Sequence, residues 1–239
     1  MLTEFNLYLN EQIKEPYLWG GQHTKLTPEN YKAVIAKRES VVANRRRVEA
    51  YCEKMFKQGY TVLWAYDCSG LGMYWLQNLK KIYKHDMTAN GMMGECELRE
   101  GPPKKGWWVF KKTGARATHI GYMVDDEYVV QAAGRDLGVT RTKFKAKDWS
   151  CWGIPKPFRD EIVNPPEPTP TPDKYVEVIG GSVNVRTSDS KKGKILFTAH
   201  RGDTFPYMAT APTGWYEVMT SKGTGYITNL PQYTRLVEK

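Results

Sequence analysis

The sequence predicts an α+β domain, a helix set against an antiparallel sheet, followed by a small all-β barrel. Three observations carry that expectation. Apolar residues recur at helical spacing through the first third of the chain, and short runs of aromatic and β-branched residues follow from Trp107. A proline-alternating stretch, Asn164-Pro165-Pro166-Glu167-Pro168-Thr169-Pro170-Thr171-Pro172, then divides these from a C-terminal region of short strand-like runs. Alternating prolines lack a backbone donor and fix φ, so residues 161–173 read as an extended spacer of roughly 3 Å per residue. Domains at 1–160 and 174–239 follow, and 239 residues suffice for one sizeable core and one small one.

Taken in order, Thr27-Pro28-Glu29 reads as a helix start, with threonine as cap and proline at the first helical position. Tyr31, Val34, Ile35, Val41, Val42, Val48, Cys52, Met55 and Phe56 then recur at helical spacing up to Gly59, a natural stop. One straight helix here would run about 45 Å, so a break is expected near Ser40. Arg45-Arg46-Arg47 reads as the solvated side of this segment. A second apolar stripe, Leu71, Trp75, Leu79 and Ile82, follows Cys68 despite Gly70 and Gly72. Trp107 to Phe110, His119 to Val124 and Tyr128 to Ala132 read as strands, the last two joined by Asp125-Asp126-Glu127. Beyond Lys174, runs at Val183–Arg186, Thr204–Tyr207, Gly214–Val218 and Gly225–Thr228 alternate with turn signals, the pattern of a small barrel.

Composition narrows the function. A hydrophobic content of 41% argues for globular folding, and no apolar run approaches the roughly 20 residues of a membrane span. The start, Met1-Leu2-Thr3-Glu4-Phe5-Asn6, lacks the pattern of a signal peptide, so the chain is expected to stay cytoplasmic until released, or to have lost a signal. The net charge of +9 favours anionic polymers. Without a paired-cysteine finger or an aromatic ribonucleoprotein signature, nucleic acid is not the expected partner. Cys52, Cys68, Cys96 and Cys151 are too irregularly spaced for a zinc site or a disulfide framework. Cys52 and Cys151 read as small buried hydrophobes.

Cys68 is different, because Tyr66-Asp67-Cys68-Ser69-Gly70-Leu71 places it at the first turn of a helix. There the unpaired backbone N–H groups and the dipole favour a thiolate. Downstream, Ala117-Thr118-His119-Ile120-Gly121-Tyr122 offers a histidine on a strand, and Gln131 follows on the next. Cysteine, histidine and an orienting amide are the parts of a cysteine peptidase. The reading makes a structural demand. A three-residue hairpin loop pairs Val124 with Tyr128 and makes His119 and Gln131 diagonal neighbours on one face, whereas a two-residue loop separates them. His23, His85 and His200 have no comparable partner in the sequence.

These residues resemble the NlpC-type cell-wall cysteine peptidases. Asp67 to Gly70 matches the family's Asp-Cys-Ser-Gly motif, and His119-Ile120-Gly121-Tyr122-Met123-Val124 matches its strand motif. Gln131 stands at the position of its third polar residue, often histidine, and Pro16-Tyr17-Leu18-Trp19-Gly20-Gly21 is similar to its Pro-Tyr-x-Trp-Gly-Gly segment. The segment from Thr27 to Gly59 looks like an insertion between motifs that usually lie closer together. The resemblance implies a papain-like fold and hydrolysis of peptidoglycan stems through an acyl-enzyme, commonly between D-γ-glutamate and the next diamino acid. It implies no metal and no organic cofactor. Cys68, His119 and Gln131 would be catalytic, while Tyr17, Asp67 and Ser69 would line the substrate subsite. The C-terminal region resembles bacterial Src-homology-three-like wall-binding modules, through Val183-Asn184-Val185-Arg186-Thr187, Gly214-Trp215-Tyr216-Glu217-Val218 and Gly225-Tyr226-Ile227. With the charge and the absent signal, this points to a phage or prophage lysin acting on bacterial peptidoglycan or its peptide fragments. Three other outcomes stay open: an N-acetylmuramoyl-L-alanine amidase, a cytoplasmic peptidase that trims recycled wall peptides, and an inactive wall-binding protein.

Overall fold

The structure, a computed structural model, describes residues 1–164 and 173–238. The proline-rich stretch 165–172 lies outside the described residues, and residues 161–163 of the expected spacer belong to a short helix. The chain divides into two compact units. One holds residues 12–164 with Leu2, and the other holds Met1, residues 3–11 and the C-terminal strands. Helix α1 (Leu2–Glu11) therefore groups with the C-terminal strands, apart from the residues that directly follow it.

In the larger unit, β1 (Gln22–Leu26) leads into two helices, α2 (Tyr31–Arg38) and α3 (Val42–Lys57). The chain then returns along β2 (Leu63–Tyr66), antiparallel to β1. The helices form because Ile35, Val48, Cys52 and Met55 recur on one face, where they pack on Leu18, Leu26, Leu63 and Ala65. The break falls where the sequence places it, at residues 39–41. The start differs. Residues 28–30 form a turn in which the Asn30 side chain accepts the Thr27 N–H at 2.8 Å, so the helix begins at Tyr31. Val41 and Val42, expected on the apolar stripe, sit at the break and are each 55% exposed. Arg45, read from the sequence as merely solvated, donates to the Glu39 carbonyl from Nε at 3.3 Å and from Nη2 at 3.1 Å. It thereby satisfies the C-terminal end of α2.

Helix α4 (Cys68–Met73) follows β2 directly and continues as a π-helical stretch, Tyr74–Leu79. The changed pitch leaves Leu71 and Trp75 fully buried but Leu79 40% exposed. Helix α5 (Ala89–Gly94), capped by Thr88, precedes β3 (Cys96–Leu98), β4 (Trp108–Thr113) and β5 (Arg116–Met123). Then come β6 (Tyr128–Gly134), β7 (Gly138–Lys143), β8 (Cys151–Pro155) and α6 (Arg159–Val163). The strands form one antiparallel six-stranded sheet ordered β3-β8-β4-β5-β6-β7, and α4 packs on β5 and β6. Trp108, Val109, Met123 and Val129 are fully buried in it. Cys52 is buried as expected, whereas Cys151 is only half-buried, because it opens an exposed strand end.

The C-terminal strands are β9 (Lys174–Val178), β10 (Ser182–Arg186), β11 (Ile195–His200), β12 (Thr204–Thr210), β13 (Tyr216–Thr220), β14 (Gly223–Ile227) and β15 (Thr234–Glu238). They pair in the order β11-β10-β14-β13-β12-β9-β15 around a core of Val176, Val178, Val185, Ala199, Phe205, Val218 and Ile227. Register shifts at Val185/Arg186 and Tyr207/Ala209 bend the sheet over that core. No ladder joins β11 to β15 among the described residues, so the sheet is open where the sequence led to a closed barrel. Within this unit the Glu11 carboxylate accepts the Ser221 hydroxyl at 2.6 Å and the Ser221 N–H at 3.3 Å, tying α1 to the β13–β14 turn.

Candidate active site

The segment 16–21 lies directly against the start of α4. Tyr66 donates its N–H to the Pro16 carbonyl at 3.0 Å, Leu18 donates to Tyr66 at 2.9 Å, and Asp67 donates to Gly21 at 2.8 Å. Tyr17 and Tyr66 thus form a parallel bridge two residues ahead of Cys68. This close approach explains the glycines. A Cβ on Gly70 would stand 2.0 Å from the Gly21 carbonyl oxygen, and one on Gly72 would meet the Tyr122 ring at 2.6–2.8 Å.

Asp67 caps α4, as its place before an apolar run predicts. Its Oδ1 accepts the Gly70 N–H at 2.6 Å and the Ser69 hydroxyl at 3.2 Å. Its Oδ2 accepts the Gly20 N–H at 3.0 Å, so one carboxylate both caps the helix and fixes the neighbouring segment. Burial raises the Asp67 carboxyl above its ordinary value, against the Gly70 and Ser69 bonds. From the facing strand, the Tyr122 hydroxyl donates to the Cys68 carbonyl at 3.0 Å and accepts the Gly72 N–H at 3.2 Å. Helix α4 is thereby registered against β5.

The Cys68 thiol is half-buried and lies near the N–H groups of Ile120, Ser69 and its own residue. Burial pushes it up to about 11 and the Asp67 carboxylate adds to the rise, while those N–H groups pull the other way. The helix N-terminus alone favours the opposite direction; here desolvation wins.

Strands β5 and β6 pair Tyr122 with Val130 and Met123 with Val129, the register of a three-residue loop. His119 and Gln131 accordingly meet, with His119 Nε2 2.7 Å from Gln131 Oε1. The Gln131 amide nitrogen donates to the Thr142 hydroxyl on β7 at 3.3 Å, which orients the oxygen toward the histidine. Nε2 then carries the proton and Nδ1 is the basic nitrogen. Burial lowers the His119 pKa below its ordinary value; the Gln131 bond opposes this, and Lys111, its cross-strand partner, adds to it. Trp149 stacks beside the imidazole with ring centroids 5.8 Å apart.

Tyr17 is buried near Cys68 and Asp67. Burial raises its phenol pKa, Cys68 and Asp67 add to the rise, and Arg135 opposes it. The Arg135 guanidinium carbon lies 5.3 Å from the Tyr17 ring centroid. Glu39, in the break between α2 and α3, holds this arginine by two bonds, Nε to Oε1 at 3.0 Å and Nη2 to Oε2 at 2.9 Å. Glu39 Oε1 also accepts the Trp19 N–H at 3.2 Å. Tyr17, Asp67, Cys68 and Ser69 thus meet around the first turn of α4, and His119 pairs with Gln131 across β5 and β6, the strands on which that helix packs. Glu39, Arg135, Thr142 and Tyr122 escaped sequence reasoning. No local pattern in the sequence marks Arg135 or Glu39.

His23 differs from its sequence reading. Its ring is stacked between Trp64 and Tyr74, each with centroids 3.9 Å away, and its Nδ1 lies 2.6 Å from the Tyr66 hydroxyl. This aromatic stack supports β1 and β2 behind the site. Among the described residues no three His, Cys, Asp or Glu side chains converge as a metal site would require, and no helix is long and apolar enough to cross a membrane.

Comparison with known proteins follows this geometry. The model of the NlpC/P60 family matches residues 14–154. No curated protein matches the chain. Among solved structures, the P60 domain of an antigen from M. avium subspecies paratuberculosis is similar at 14% identity, over 65% of this chain and 94% of that one, with a TM-score of 0.42. The crystal structure of Ly7917 is similar at 13% identity, over 100% and 99% of the two chains, with a TM-score of 0.35. The peptidoglycan hydrolase RipB from Mycobacterium tuberculosis is similar at 17% identity, over 64% and 81%, with a TM-score of 0.31.

Proposed function

The chain belongs to the NlpC/P60 family, and on that premise we propose that it is a cysteine peptidase that cleaves peptidoglycan stem peptides at the bond between D-γ-glutamate and the following diamino acid. One observation carries the reading: His119 Nε2 and Gln131 Oε1 lie 2.7 Å apart across β5 and β6, and the Cys68 thiol lies near the N–H of Ile120, the residue after His119.

In the proposed reaction the Cys68 sulfur attacks the γ-carbonyl carbon as its proton passes to His119 Nδ1. The N–H groups around the sulfur stabilise the oxyanion. Collapse expels the diamino acid's amine, which takes the proton from His119, and leaves a γ-glutamyl thioester on Cys68. Water, deprotonated by the same histidine, hydrolyses that thioester and restores the thiol. Gln131 keeps the imidazole in the required tautomer. Tyr17, Asp67 and Ser69 line the approach, although the polar atoms of Asp67 and Ser69 are already bonded to each other and to backbone. The C-terminal unit acts as a Src-homology-three-like wall-binding module that holds the enzyme on an insoluble substrate. The chain as a whole is a phage or prophage lysin.

Isolated sacculi treated with the protein and with Cys68→Ala, then analysed by mass spectrometry, test this directly. New termini at the γ-D-glutamyl bond, absent with the variant, are expected. A free L-alanine terminus released from muramic acid would replace this reading with an amidase. Binding without cleavage would replace it with a wall-binding protein.

A further inference from the structure

The Glu39–Arg135 pair is unlike the other ion pairs of this region. One residue on, Arg47 and Asp136 join the same β6–β7 turn to α3, but their side chains are 47% and 58% exposed. Such a solvated clamp contributes little. Glu39, in contrast, is 2% exposed, and a carboxylate so buried is tolerated only with its charge and lone pairs satisfied. It is satisfied by Arg135 and by the Trp19 N–H together. A single carboxylate from the inserted helices therefore fixes both the arginine and the segment that carries Tyr17.

The geometry of Arg135 leaves one edge for something else. Its Nε and Nη2 are used by Glu39, and Nη1 has no hydrogen-bond partner among the described residues. The side chain remains 19% exposed, with its guanidinium over the Tyr17 ring. Since Tyr17 is bridged to Tyr66, two residues before Cys68, the guanidinium stands beside the segment that leads into the nucleophile. A fixed guanidinium edge with a free N–H pair is suited to a carboxylate oxygen. A γ-linked glutamate carries a free α-carboxylate within about 5 Å of its scissile carbonyl, a distance set by the intervening single bonds.

We propose that Arg135 is a specificity-determining residue that receives the free α-carboxylate of the substrate's D-glutamate, and that the insertion between β1 and β2 aims it through Glu39. The inference rests on the reading of the site as a γ-D-glutamyl peptidase. It also gives the insertion a role in substrate choice, where wall chemistry offers a carboxylate in some stems and a carboxamide in others. Because Glu39 balances the charge of Arg135, the arginine acts as a directed donor, and a moderate preference follows.

The test compares kcat/KM on two peptides, L-Ala-γ-D-Glu-diamino acid and the same peptide with the α-carboxylate converted to carboxamide. The wild-type chain is expected to favour the carboxylate at least about fivefold, chiefly through KM. In Arg135→Gln, and in the double variant Glu39→Gln/Arg135→Gln, which leaves no buried carboxylate unpaired, the ratio falls to near one. Each ratio is internal to one preparation, so a partly unfolded variant still reports it. A wild-type ratio of one, or a preference unchanged in both variants, overturns the role of Arg135 while leaving the peptidase reading intact. Failure of the wild-type chain to cleave either peptide overturns that reading and this inference with it.

Discussion

At Cys68 two influences on a thiol oppose each other. The first turn of α4 and the N–H groups nearby favour the thiolate, whereas burial and the Asp67 carboxylate favour the thiol, and the balance stands at about 11. His119 is displaced toward its neutral form by the same burial. In the proposed mechanism the two groups rest at neutral pH as a thiol and an imidazole, and the proton moves when substrate arrives. Alkylation of Cys68 in the free protein should keep rising with pH beyond 8, as the thiolate fraction grows toward the value near 11. A rate that levels off below pH 6 would reveal a preformed ion pair instead. In the proposed mechanism Gln131 acts only through the imidazole, so Gln131→Ala should lower kcat about 10- to 100-fold with little change in KM. Gln131→His should retain most of the activity, since it too can bond Nε2. These kinetic constants, measured on the free peptide, separate an orienting residue from a binding one.

Among elements, the contact between segment 16–21 and α4 is the least tolerant. A methyl group on Gly70 has nowhere to go but into the Gly21 carbonyl, a backbone atom that is itself bonded to the Asp67 N–H. Gly70→Ala should therefore destabilise the unit by about 3 kcal/mol and remove activity with it, as read from urea denaturation and peptide turnover. The elements around the site were largely legible in the sequence. The hairpin register followed from the three residues between Val124 and Tyr128, and the break near Ser40 followed from helix length. What was not legible depended on partners distant in sequence. The start of α2 moved because the Asn30 side chain turns back on Thr27. The roles of Arg45 and Glu39 required knowing what the break faces. The stack of His23 between Trp64 and Tyr74 joins β1, β2 and the π-helical stretch, an arrangement no local pattern announces.

On the scale of the whole molecule, the C-terminal strands were readable one by one from their turn signals. Their assembly was not. Among the described residues no ladder joins β11 to β15, and α1 is tied to this unit through Glu11, whose partner Ser221 is near the other end of the chain. That contact carries a pH dependence. Burial raises the Glu11 carboxyl from 4.5 to about 7, against its bonds to Ser221 and the charge of Lys222. A carboxyl whose folded value is raised stabilises the fold fully below its unfolded value and loses that contribution as pH rises through the folded one. The unit should thus be more stable at pH 4.5 than at pH 8 by at most about 3 kcal/mol from this group. Glu11→Gln should flatten that dependence in urea denaturation at the two pH values. An unchanged dependence in the variant would assign it elsewhere.

In the proposed reaction Cys68 forms a thioester with the γ-glutamyl carbonyl of a wall peptide. Acid-quenched reactions with L-Ala-γ-D-Glu-diamino acid, followed by intact-protein and peptide-level mass spectrometry, test it most directly. A mass increase equal to the L-Ala-γ-D-Glu acyl group is expected, localised to the peptide containing Cys68, absent in Cys68→Ala and accompanied by release of the free diamino acid. Release of the diamino acid by Cys68→Ala at the wild-type rate, or an adduct on any other residue, would contradict it.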